Sequence, residues 1–66
     1  MEKLVTESKK LALLRDRLIR RRREIAEHLQ SASFDQDAGD DFARIQNTID
    51  AVVKAIAEEQ YAEFHP

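Results

Sequence analysis

The chain has 66 residues, no Cys, 36% charged residues and a formal net charge of −2. Those figures leave room for one small domain and exclude disulfides, thiolate metal sites and cysteine nucleophiles together. A sequence pI near 5.6 argues against a molecule built around nucleic-acid electrostatics. The longest apolar run, Leu11 to Leu14, is far shorter than the roughly 20 residues that span a bilayer. Met1-Glu2-Lys3 leads into charged amphipathic sequence, unlike a signal peptide. A cytoplasmic protein with no membrane contact is therefore expected, and the missing Cys fits a reducing compartment.

The first element is a helix. Leu4, Leu11, Leu18 and Ile25 recur every seven residues, with Val5, Ala12, Ile19 and Ala26 beside them. That period places both columns on one stripe of an α-helix over residues 3–30. No Gly or Pro interrupts this stretch, which would run roughly 40 Å. Leu14 and Leu29 join the apolar side. Met1, Ser8, Arg15, Arg22 and Leu29 fall between the two columns, so two arginines lie within the seam. Their stems can cover apolar surface while the heads reach water or a carboxylate. Alternatively they specify register, or meet the carboxylates or phosphates of a partner. Leu13 lies almost opposite the stripe, where together with Leu14 it can widen a partner-binding face.

Arg20 to Arg23 form a basic run that, with Arg15 and Arg17, concentrates positive charge in the middle of this helix. Four consecutive residues point around most of a helix, so the run makes no single flat basic face. The helix also lacks aromatic side chains for stacking on bases. A solvated, salt-bridged face is one reading. The other is nucleic-acid binding through Arg15, Arg17, Arg20, Arg21 and Arg23, with phosphate tracking as the mechanism. In length and expected shape the chain resembles a plasmid copy-number RNA-binding protein that is also a dimeric helical hairpin.

Residues 31–39 carry turn chemistry, including the only Gly, Gly39. Ser33 with Gln36 forms a candidate capping box, and Asp40 is a second candidate cap; helix is expected to resume by about residue 40. Asp35-x-Asp37-x-Gly39-Asp40 resembles the start of a calcium loop. It departs from that pattern in having Gly39 at the fifth ligand position, Asp40 at the turn glycine and Gln46 at position twelve. Asp41-Phe42-Ala43 at the tip of a hairpin resembles part of the acidic tip of factors that enter the RNA polymerase secondary channel. The leading Asp of that tip is replaced here by Ala38, and the zinc-binding cysteines often found with it are missing.

The second helix is expected over residues 40–62, followed by a short tail. Phe42, Ile45, Ile49, Val52 and Ile56 alternate three and four apart, which again makes one stripe. Thr48, Ala51 and Ala55 form a smaller stripe on another side. Two long helices joined by a short connection lie antiparallel, so the fold class is all-α, a helical hairpin. Residues 1–30 hold nine Lys or Arg against five Asp or Glu, and residues 31–66 hold two against eight. Antiparallel pairing should bring Lys9 and Lys10 near Glu58, Glu59 and Glu63, and Arg20 to Arg23 near Asp50. Tyr61, Phe64 and His65 either close the open end against Met1, Leu4 and Val5 or stand free as a protein-binding anchor.

No constellation for catalysis, cofactor or metal is present. His28 and His65 have no nucleophile or ligand set beside them, and Ser31 and Ser33 fit helix-end roles. One hairpin supplies a single layer of side chains, too small a core to stand alone without a partner. The expectation is therefore a homodimeric four-helix bundle with Leu4, Leu11, Leu14, Leu18, Ile25, Leu29, Phe42, Ile45, Ile49, Val52 and Ile56 in its core and dimer interface. Partner contacts are expected at Leu13, Arg15, Arg22, Tyr61 and Phe64. In size and expected fold the chain resembles bacterial antiactivators, which sequester transcription regulators; that implies a non-enzymatic regulator that binds another protein.

Overall fold

The computed structural model describes residues 5–31 and 35–65. Two helices, α1 (Glu7–Ser31) and α2 (Gln36–Phe64), pack as a helical hairpin. The molecule measures 50 × 25 × 13 Å, one helix thick, with both broad faces open to solvent. Neither helix is long and apolar enough to cross a membrane.

Each helix starts later or earlier than local composition suggests, and the caps explain why. Val5 and Thr6 precede α1, while Lys3 and Leu4, expected at its start, lie outside the described residues. The Thr6 hydroxyl accepts the Lys9 N–H at 3.2 Å, which satisfies an otherwise unpaired donor of the first turn. Helix α2 begins at Gln36 rather than near residue 40. Asp35 supplies the cap, accepting the N–H groups of Asp37 at 3.0 Å and Ala38 at 3.4 Å. Asp37, Asp40 and Asp41 then sit on the opening turns, where the macrodipole favours carboxylates. Gly39 lies inside this helix, its N–H bonded to the Asp35 carbonyl at 2.9 Å. Neither Ser33, outside the described residues, nor Asp40 is the observed cap. Helical backbone from Gln36 onward also removes the calcium-loop reading, because the acidic side chains cannot wrap around one ion from a continuous helix.

The core runs along the seam. Ile25, Ile49, Val52 and Ile56 are buried, and among the described residues no side chain is fully enclosed. Leu11, Leu18, Leu29, Phe42 and Ile45 are half-buried around them. Leu14, expected in the core or dimer interface and, with Leu13, on a partner-binding face, is 39% exposed in the single hairpin. It lies at the margin of the α1 stripe, and a single neighbouring helix covers only the centre of that stripe.

Candidate interaction surface

A polar line threads the seam along the middle of the α1 stripe, through Ser8, Arg15 and Arg22. Ser8 is buried, only 8% exposed. Its hydroxyl donates to Glu63 Oε1 at 3.1 Å and its N–H to Oε2 at 3.4 Å. Glu63 thus caps the α1 N-terminus from the other helix. A carboxylate at the C-terminal end of α2, disfavoured by that helix's own dipole, is stabilised by the opposite dipole of α1. Lys9 and Lys10 do not fill this role as expected: Lys10 pairs with Glu7 one turn away at 4.0 Å.

Arg22 is half-buried and donates from its guanidinium to Gln46 Oε1 at 2.9 Å; Gln46 in turn donates to Asp50 Oδ1 at 3.0 Å. The basic run therefore reaches Asp50 through an amide rather than by direct ion pairs. Arg15, also half-buried, turns back to Asp16 at 3.3 Å. Arg21 pairs with Glu24 at 3.0 Å. Arg17, Arg20 and Arg23 are exposed and form no ion pair among the described residues. Sequence patterning placed Arg15 and Arg22 in the seam but did not single out Gln46, whose long amide spans the helices where no carboxylate stands.

At the turn end, His28 lies 3.5 Å from Asp35. The Asp35 carboxyl is held below its ordinary value of 3.8, chiefly by the Ala38 N–H; desolvation opposes this, and the Asp37 N–H and His28 add to the lowering. A cleft of about 270 Å³ beside this pair is lined by Arg21, Glu24, Ile25, His28, Ala38 and Asp41. It is smaller than the roughly 300–1,000 Å³ typical of ligand pockets, and its charges are already engaged with neighbours. Among the described residues no group of three or more His, Asp or Glu side chains is placed to hold a metal ion.

Large apolar side chains stand in solvent at the open end and on the outer surfaces. Tyr61 is 65% exposed and Phe64 80% exposed, so they do not pack over the open end as one expectation had it. Met1 and Leu4, the other members of that expected cluster, lie outside the described residues. The Tyr61 ring stacks on His65 with centroids 4.0 Å apart, and the His65 N–H bonds the Tyr61 carbonyl at 2.9 Å. The two rings form an exposed aromatic surface at the end of α2. Val5, Leu13 and Val53 are also exposed.

The two broad faces differ. At about 100° per residue, Ala12, Ile19 and Ala26 of α1 and Phe42, Val53, Ala57 and Phe64 of α2 fall on the same side of the hairpin. The opposite side carries Leu14 and the charged cleft. One face is therefore mostly apolar from end to end. No family model matches this chain, and comparison with curated proteins and with solved structures finds no match. What the geometry defines is a two-helix hairpin with a polar seam, one apolar broad face and an exposed aromatic end.

Proposed function

We propose that this chain is a non-catalytic regulatory protein that pairs with a second copy as a four-helix bundle and binds another protein, sequestering a transcription regulator. Its exposed area carries the self-association. The chain exposes 5355 Å², whereas a compact monomer of its mass exposes roughly 4300 Å². The difference, roughly 1000 Å², is close to the roughly 800 Å² that each partner covers in an ordinary stable interface. Tyr61, exposed at the open end and off the apolar broad face, supports the heterologous contact, because aromatic side chains dominate binding hot spots.

The test is capture of a DNA-binding regulator by the immobilised protein, repeated with the Tyr61→Ala/Phe64→Ala double variant. Recovery of such a regulator at fixed ratio, with affinity reduced at least about tenfold in the variant, supports the reading. Equal binding by the variant removes the aromatic end from it, and recovery of nuclease-sensitive RNA alone overturns it. That last outcome belongs to a rival function, a dimeric RNA-binding bundle, favoured by Arg17, Arg20 and Arg23, which are exposed and form no ion pair among the described residues. Replacing Arg20, Arg21 and Arg23 with Gln would then weaken RNA binding at every sequence and flatten its salt dependence.

A further inference from the structure

The two helices carry opposite charge. Helix α1 (Glu7–Ser31) has eight Lys or Arg against four Asp or Glu, and α2 (Gln36–Phe64) has two against seven. Most of this charge is not neutralised across the seam. Ion pairs among the described residues run within a helix or join His28 to Asp35, and the two seam links use Ser8 and Gln46. The hairpin is thus a plate with one positive edge and one negative edge.

Two plates can stack through the same face in two symmetric ways. With the two-fold axis across the helices, the turns point in opposite directions and α1 lies on α1 while α2 lies on α2. Helices of like net charge then face each other. With the axis along the helices, both turns lie at one end and each α1 rests on the partner's α2. Every neighbouring pair of helices is then antiparallel and oppositely charged.

We infer that a second copy of this chain docks on the apolar face formed by Ala12, Ile19, Ala26, Phe42, Val53 and Ala57, with both turns at the same end of the bundle. This rests on the self-association proposed above and specifies its geometry. Along the rim of that face, Arg23 of one copy stands about one helical turn from the level of the partner's Asp50, within reach of so long a side chain. Asp16 stands near the level of the partner's Lys54, judged from the levels at which Ser8 meets Glu63 and Arg22 meets Gln46 within one hairpin. Both rim pairs are complementary. In the opposite stacking, with helix mid-points aligned, Arg23 would stand near the level of Asp16 of the other α1, but Asp50 would face the partner's Asp50 across the α2 rim. Complementary rims select among docked arrangements more than they add affinity.

The chain has no Cys, so single cysteines carry spin labels cleanly. Asp37→Cys labels the turn end and Ala62→Cys the open end, both at exposed positions on the outer side of α2. Sedimentation of each labelled protein is measured beside its interspin distance. A dimer with both distances under about 30 Å supports the same-end arrangement, since only the bundle width separates the labels. A dimer with both distances at about 40 Å or more overturns this arrangement while leaving self-association intact, because the labels then sit at opposite ends of the helices. A monomer in sedimentation overturns the self-association on which the inference rests.

Discussion

Asp35 and Glu63 each hold a helix N-terminus, one from the adjoining turn and one from the other helix. Because folding lowers the Asp35 pKa, the carboxylate stabilises the fold fully above its ordinary value of 3.8, and that contribution disappears as pH falls through the lower folded value. Acid titration of helicity should therefore show a loss below pH 3.8 that Asp35→Ala lacks; Asp35→Asn, which keeps a capping oxygen, should be less destabilised at neutral pH than Asp35→Ala. Glu63→Ala removes the charged acceptor of both the Ser8 hydroxyl and its N–H, leaving the hydroxyl only Thr6 Oγ1 at 3.2 Å, and should cost about 1–3 kcal/mol in chemical denaturation. Glu63→Gln, which retains an accepting oxygen, should cost less. The Asp35 cap also explains where α2 starts. Gly39 and the acidic cluster look like a turn, but a glycine in the opening turns costs only about 1 kcal/mol, which a cap and favourable dipole interactions offset.

At the scale of the helices, stripe periodicity was enough to place Ile25, Ile49, Val52 and Ile56 at the seam and Arg15 and Arg22 within it. It could not tell Leu14 from Leu18, since the width of the covered stripe depends on how many neighbours a helix has. Nor could it choose the bonding partner of Arg22, because several polar groups of α2 lie within reach of so long a side chain. The exposure of Tyr61 and Phe64 was one of two open readings for the same reason: a cluster at a helix end packs or projects according to what lies opposite. Ile49 is the most buried apolar residue among those described, at 5% exposure. Ile49→Ala should cost about 2–5 kcal/mol, through lost transfer energy and an unfilled space in the seam. A loss below about 1 kcal/mol would place the α2 stripe against solvent rather than core. Replacing Arg22 with Met keeps the aliphatic stem and removes the bond to Gln46. It should change global stability by less than Ile49→Ala, since stem packing is retained and the seam amide can turn toward Asp50.

Taken whole, the molecule is a thin plate whose buried apolar residues lie along a single seam. Such a core rarely supplies more than about 3–5 kcal/mol, so folding and association should be coupled. The thermal midpoint should rise with protein concentration, as mass action requires when the folded form is the dimer. In the dimer we propose, apolar area would drive contact, and the oppositely charged edges would choose which way round the second copy sits. Sedimentation equilibrium across the micromolar range, with helicity measured on the same samples, tests self-association most directly. A species of twice 7.7 kDa that loses helicity as it dissociates is the expected result. A cooperatively folded 7.7 kDa monomer at every concentration would contradict it.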